Sequence, residues 1–555
     1  MPPVLRRVYT ARGIADPAEL EYRLENLHHM RSLGGLDAAV DLLAAAVTEG
    51  QRVLIVGDFD ADGATSSTVA LRALRAMGLE RVGYLVPNRF EYGYGLSPEI
   101  VEVAARESPD VIVTVDNGVS SVAGVVSARQ HGIRVLVTDH HLPGETLPAA
   151  DAMVNPNLRG DPFPSKHLAG VGVIFYVMLA LRARLQRDGW LDGRRREVPN
   201  MADLLDLVAL GTVADVVPLD RNNRVLVSQG LRRIRAGRAC PGLLALLQAG
   251  GRDPARAVSA DLAFAAGPRL NAAGRLEDMS LGIECLCSDD PARATDLAAR
   301  LDGLNRERRE IEGRMQQEAH AYLDGMRLDD SRLPVGLCLY DPAWHQGVVG
   351  ILASRVKERV QRPVIAFARS RDGELKGSAR SVPGMHMRDA IGAVATRHPE
   401  LVGRFGGHAM AAGLSLAEAH YERFARAFDE EARRRLDDNI LERVIHSDGE
   451  LSGAELTLET ARVLRDAGPW GQGFPEPVFD GEFEVLERRV VGERHLKLTL
   501  GAGNGTLRLD AIAFNHGETW LPEERSRVRA AYRLDVNAFR ARERLQLIVE
   551  HLEPV

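Results

Sequence analysis

Cysteine is scarce: Cys240, Cys285, Cys287 and Cys338 are the only four in a chain of 555 residues. Cys285 and Cys287 are separated by one residue, too close for a zinc knuckle, and four scattered thiols make no disulfide framework. They read as buried thiols in a reducing compartment. Lysine is equally rare, at Lys166, Lys357, Lys376 and Lys497. Arginine therefore carries nearly all the positive charge. It suits bidentate phosphate contact, although GC-rich coding would produce the same bias. The formal net charge of −7 excludes indiscriminate coating of nucleic acid and leaves room for a locally basic groove. Long apolar runs are missing. Met1 to Arg7 has no apolar core of signal-peptide length, so neither a signal peptide nor a membrane span is expected, and a cytoplasmic location follows. There is no internal repeat and no low-complexity tract.

Present instead is a globular composition, 45% hydrophobic and 26% charged, with length for about three or four domains. The most informative stretch runs from Val53 to Gly63. Its apolar run, Val53 to Val56, reads as a fully buried strand. It ends in Asp58, Asp60 and Asp62, which share a face if the chain stays extended. Clustered carboxylates repel and are costly to desolvate; an Mg²⁺ or Mn²⁺ ion relieves both problems. A polar turn after a strand explains one such stretch equally well. Recurrence favours the metal. Val111 to Val115 runs into Asp116-Asn117-Gly118, and Val135 to Thr138 into Asp139-His140-His141. The apolar segment Leu204 to Leu210 leads to Asp215. Ligands of open α/β sheets bind outside the carboxyl ends of the strands.

The chain divides into a helical lead-in over 1–45, alternating strands and helices over 46–235, and a helical connector over 236–332. A second α/β region covers 333–438 and a strand-rich region 439–555. The alternation implies a parallel sheet with right-handed crossovers. Five strand candidates (483–490, 496–500, 507–514, 528–536 and 546–552) suit a small barrel such as an OB-fold. Gly170-Val171-Gly172 is a poor dinucleotide loop, lacking a third glycine and a preceding strand, and is read as helix packing. Trp344 is assigned to the core rather than to base stacking. Arg533, Phe539, Arg540, Arg542 and Arg544 form a candidate single-strand surface on the barrel, or are ordinary strand exteriors.

The segments Gly57 to Gly63, Val115 to Gly118, Thr138 to His141 and Gly211 to Asp215 resemble the four motifs of the DHH phosphoesterase superfamily. Trp344 to Gly350, Ser378 to Ser381 and Gly406 to Gly413 resemble its associated substrate-binding domain. Gly471 to Pro477 resembles the start of the OB domain in its single-strand-specific branch. The resemblance implies a metal-dependent 5′-to-3′ exonuclease of single-stranded DNA, acting in recombination and repair. It implies two ions, Mn²⁺ or Mg²⁺, on Asp60, Asp62, Asp116, His140 and Asp215, with Asp116 bridging ions ~3.5–4 Å apart. Relatives often carry His four residues before the first metal Asp. Here that position is Val56, which leaves the first ion weakly held or transfers its ligation to Asp58. His141 is expected to contact phosphate or support the cluster, and Asp139 to orient the imidazoles. Arg89, Tyr94, Arg275, Arg380, Gly407 and His408 are the expected substrate contacts. For Arg275 a solvent-facing helix position competes with a phosphate grip, and for His408 a structural role does. The family role implies a single-strand-binding protein and a helicase as partners of a monomer. Two other readings stand beside it: a hydrolase of short oligoribonucleotides or cyclic dinucleotides, and a non-catalytic scaffold with a degenerate catalytic domain.

Overall fold

A computed structural model describes residues 1–87, 95–193, 197–325, 333–344, 346–370, 373–407, 410–436, 444–492, 495–502, 507–514, 516, 522–539 and 542–555. The chain forms two compact units, one of residues 1–305 with 446–555 and one of residues 306–445.

The first unit holds a five-stranded sheet of β1 (Val53–Gly57), β2 (Val82–Leu85), β3 (Val111–Val115), β4 (Arg134–Thr138) and β5 (Ala152–Val154). Their order is β2-β1-β3-β4-β5 and every pairing is parallel. Period-two alternation assigns each face. Val53 and Ile55 point into the large core with Val113 and Leu136. Leu54 and Val56 point into a second cluster with Ile112, Val135 and Val137. Burial on both faces is why these strands read as unbroken apolar runs. It also explains Val56: its side chain completes an apolar layer and faces away from the core on which the carboxylates gather.

The order reverses between β1 and β3, since β2 lies on one side of β1 and β3 to β5 on the other. Such a switch point leaves a crevice at the carboxyl ends of its two strands. Helices Ala61–Ala76, Gly170–Arg187 and Leu205–Ala214 cover the large-core face. They pack closely because small residues separate them. A Cβ at Gly211 would lie 2.3 Å from Thr65 Oγ1, and one at Gly57 would lie 2.3 Å from Ser67 Oγ.

The same unit carries a closed barrel of β11 (Phe479–Val491), β12 (His495–Ala502), β13 (Leu507–Ala513), β14 (Arg527–Phe539) and β15 (Arg542–Pro554), in the order β11-β12-β13-β15-β14. The N-terminal helix Pro3–Ala11 helps to join it to the sheet domain. Arg12 Nη1 pairs with Asp448 at 2.7 Å, the Tyr9 hydroxyl donates to the Ala467 carbonyl at 2.7 Å, and the Arg224 guanidinium lies 4.3 Å from the Phe474 ring centre. On the barrel, Arg533 is held by Glu476 and by Glu550 at 2.6 Å. One member of the basic surface expected from sequence is thus neutralised. Arg540 lies outside the described residues, and nothing is described of the Phe539 and Arg542 side chains; Arg544 is exposed.

The second unit contains β6 (Leu337–Tyr340), β7 (Val364–Arg369), β8 (Glu374–Arg380), β9 (Arg404–Gly407) and β10 (Ala411–Ala417), in the order β6-β7-β8-β10-β9. The first pair is parallel and the others are antiparallel. Trp344 is buried against the helix Gln346–Val360, as a core residue. Among the described residues no helix is long and apolar enough to cross a membrane.

Candidate metal centre

Asp58 follows β1 directly, and its Oδ1 accepts the Phe59 amide at 2.7 Å. The extended conformation expected from there to Asp62 does not persist. Asp60 caps the helix Ala61–Ala76, accepting the amides of Asp62 at 2.9 Å and Gly63 at 3.0 Å. A carboxylate in that place satisfies helix-terminal N–H groups, and this competes successfully with strand continuation. Gly63 permits the tight turn, because a Cβ there would lie 2.4 Å from the Asp58 carbonyl oxygen. Asp62 consequently sits in the first helical turn, not on a strand face. Its two oxygens accept the amides of Gly170 at 2.6 Å and Val171 at 3.0 Å, the first residues of the helix Gly170–Arg187.

Asp116 follows β3 in the left-handed region, with φ +61°, a conformation that costs energy for any residue with a Cβ. Its neighbours hold it there. The Asn117 side-chain amide donates to the carbonyls of Val115 at 2.8 Å and Val56 at 3.1 Å, tying the ends of β3 and β1 together. Thr114 Oγ1 donates to the Asn117 carbonyl. After β4, Asp139 accepts the His140, His141 and Val119 amides and holds the His141 ring, Nδ1 to Oδ1 at 2.8 Å. It therefore orients one imidazole of the expected two. Asn155 and Asn157 donate to the carbonyls of His141 and His140. His140 Nε2 lies 3.1 Å from Asp116 Oδ1 and 3.5 Å from Asp215 Oδ2. Asp215 ends the helix Leu205–Ala214.

Residues from across 158 positions thus meet at the switch point. Three groups each offer ligand atoms within 4.8 Å of one another: Asp58, Asp60 and Asp116; Asp62, His140 and Asp215; Asp116, His140 and His141. Burial pushes Asp58 up to about 8 and Asp62 up to about 7, the charge of Asp60 adding to both. Burial and the surrounding carboxylates hold Asp116 and Asp215 well above the ordinary range. Burial disfavours a charged Asp139, but the His141 hydrogen bond and the nearby imidazoles outweigh it, and its pKa is lowered. Buried, mutually repelling oxygens with one or two imidazoles are the donor set of a hard divalent cation such as Mn²⁺ or Mg²⁺, and the residues present fit one.

The remaining expected site residues are placed less uniformly. Arg275 is exposed in the last turn of the helix Gly267–Leu276. That helix touches the first motif: the Ala61 amide donates to Asn271 Oδ1 at 2.8 Å, and a Cβ at Gly274 would lie 1.8 Å from the Phe59 carbonyl oxygen. Arg269, in the same helix, is buried against Asp302 at 2.7 Å. Arg380 bonds to Ser354 and Ser378 in the second unit. Gly407, also there, has φ +139°, and a Cβ would lie 2.5 Å from the backbone of Ala411 and Ala412, so strand pairing alone requires glycine. Arg89, Tyr94 and His408 lie outside the described residues.

Gly170 does more than pack a helix. A Cβ there would lie 2.6 Å from Asp116 Cβ and 2.8 Å from its Oδ1. Gly170→Ala is expected to lower stability by about 1–3 kcal/mol and to weaken divalent-cation binding. Denaturant melts with and without Mn²⁺ check both effects.

A profile described as DHH family, N-terminal domain, matches residues 52–212, a DHHA1 domain matches 334–434 and a RecJ OB domain matches 447–551. The chain is 57% identical over its whole length to the single-stranded-DNA-specific exonuclease RecJ of Dickeya dadantii, covering 96% of that protein. It is 54% identical to the protein of that name from Escherichia coli, with the same coverage. A crystal structure of RecJ in complex with Mn²⁺ from Thermus thermophilus superposes with a TM-score of 0.79 at 32% identity, over 100% of this chain and 76% of that one. The chain therefore belongs to the RecJ family of single-stranded-DNA-specific exonucleases, built on a DHH domain.

Proposed function

We propose that this protein is a metal-dependent exonuclease that hydrolyses the phosphodiester bonds of single-stranded DNA from the 5′ end, in recombination and repair. The observation that carries the reading is the meeting of four sequence-distant acidic motifs at one sheet switch point, in a chain of this family. Asp58, Asp60, Asp62, Asp116, His140 and Asp215 would hold two Mn²⁺ or Mg²⁺ ions. When bound, such cations polarise the scissile phosphate, supply a hydroxide at neutral pH and stabilise the leaving oxygen.

The chain's own residues set the stage for that chemistry. Asp139 Oδ1 accepts a hydrogen bond from His141 Nδ1–H at 2.8 Å, which orients the ring so that Nε2 is the nitrogen presented to a cation or a substrate phosphate. Asn155 and Asn157 fix the backbone beneath both imidazoles. Arg89, Tyr94, Arg275, Arg380, Gly407 and His408 would contact the strand. The division into 1–45, 46–235, 236–332, 333–438 and 439–555 is the working domain scheme. A single-strand-binding protein and a helicase are the expected partners of a cytoplasmic monomer.

The RecJ OB match over residues 447–551 weighs against a hydrolase restricted to dinucleotides, whose relatives resemble the first two domains alone. The intact set of carboxylates weighs against an inert scaffold. End-labelled single-stranded and duplex DNA, digested with Mn²⁺, Mg²⁺ or chelator, tests the proposal. Single strands should be degraded from the 5′ end with either ion, duplex and chelated samples left intact. Equal digestion of blunt duplex would refute it.

A further inference from the structure

Behind Asp215 lies a cavity of about 660 Å³ in the first unit, within the usual size range of ligand sites. The carboxylate of Asp215 faces His140, while its neighbours Ala214 and Val216 line the cavity. Three features of the lining are unusual. Val216 is a β-branched residue at φ +61°, and it is 64% exposed. Such a conformation is an outlier for a β-branched side chain and marks strain held for a purpose. Leu262–Ala266 form a π-helical turn, a rare form found often at functional sites. That turn presents Phe264 at 72% exposure, where folding alone would bury an aromatic ring.

Charge completes the description. Arg232 and Arg235 line the cavity from the last turn of the helix Arg221–Arg235. Arg235 donates through Nε to the Ala257 carbonyl, and Arg232, exposed, has no side-chain partner among the described residues. The two acids of the lining are already engaged, Asp466 with Arg465 at 3.3 Å and Glu476 with Arg533. The net field is therefore positive over an apolar floor that includes Trp470.

We propose that this cavity is a second binding site for single-stranded DNA, in which Phe264 stacks on an unpaired base and Arg232 and Arg235 hold the adjoining phosphates. The inference rests on the exonuclease reading above. An exposed aromatic face beside unneutralised guanidinium groups is the chemistry by which single strands are held without regard to sequence. The barrel surface expected from sequence is weaker in this respect, because Arg533 is neutralised there. Ala214 and Val216 of the cavity wall flank Asp215 of the metal centre directly in the chain, so a strand seated here borders the site of hydrolysis.

The test compares wild type with Phe264→Ala and Arg232→Ala, both exposed positions where the fold is retained. With Mn²⁺ present, affinity for a long dT strand blocked by phosphorothioate linkages should fall roughly tenfold or more in each variant. KM for the unblocked strand should rise by a similar factor with kcat within twofold. Unchanged affinity overturns the proposal, and does so in favour of a protein ligand if a short peptide of Glu and Phe then binds wild type but not Phe264→Ala. A fall in kcat with KM unaltered also overturns it, since the lesion would then lie at Asp215. A wild type that degrades no single-stranded DNA would instead remove the exonuclease reading itself.

Discussion

Asp116→Ala should abolish hydrolysis of single-stranded DNA while leaving the fold as stable as before, or more so. The loss should reach about 10³-fold at least, equivalent to ~4 kcal/mol of transition-state stabilisation. Asp116 contributes to two of the three ligand groups, so its removal thins both. Without a cation its charge is costly despite the His140 contact, because it is buried and repelled by Asp62, Asp60, Asp215 and Asp58. Ordinary buried substitutions destabilise; this one removes a buried carboxylate repelled by its neighbours.

Asp62→Ala makes an instructive contrast. It should also abolish hydrolysis, but it leaves the Gly170 and Val171 amides without their acceptor, at about 1–3 kcal/mol for a buried group left unsatisfied. Thermal melts in chelator should therefore place Asp116→Ala at or above wild type and Asp62→Ala below it. The Mn²⁺-induced rise in Tm should shrink in both. Metal-dependent activity retained by both variants would defeat the site assignment.

The parts of this centre that sequence revealed are those written in local pattern. Strands β1, β3 and β4 are buried on both faces, so each is an apolar run with an abrupt polar end. Asp116 and Asp139 could be placed at strand ends for that reason, and Asp215 at the end of an apolar segment that is a helix. The barrel was legible from five short strand candidates, although β11, β14 and β15 each run to 13 residues. What sequence hid depends on partners far away in the chain. Asn117, Asn155 and Asn157 act on backbone carbonyls and are indistinguishable, in sequence, from ordinary turn residues. Gly170 looked like a packing glycine because the side chain it must avoid, Asp116, lies 54 positions earlier. Asp58, Asp60 and Asp62 suggested a continuous strand because alternation was the only local cue. The capping of the helix Ala61–Ala76 by Asp60 overrode it, yet the carboxylates still gather, now through a helix start. Arg269 and Arg533 show the limit for cations: nothing in the sequence near them announces Asp302, Glu476 or Glu550.

The stabilisation conferred by Mn²⁺ should grow as pH rises from 6 to 8. Burial drives Asp58 up to about 8 and Asp62 up to about 7, and holds Asp116 and Asp215 well above the ordinary carboxylate value. An acid whose folded pKa exceeds its unfolded one binds more protons when folded. Stability is then lost as pH rises from about 4 through the folded pKa. His141 works in the same direction. Burial lowers its pKa, but the hydrogen bond and charge of Asp139 raise it further, so its contribution is present at low pH and lost as pH rises through the raised value. Asp139, with a lowered pKa, loses its contribution only in acid, outside this window. The metal-free protein should therefore melt at a lower temperature at pH 8 than at pH 6. A divalent cation competes with the same protons, so it should bind more tightly at pH 8 and displace fewer of them there. Calorimetric melts in Mn²⁺ and in chelator, together with titrations in buffers of different ionisation enthalpy, measure both effects. A Tm difference between metal-loaded and chelated protein that stays constant from pH 6 to pH 8 would show that these carboxylates do not titrate as a buried, cation-seeking cluster.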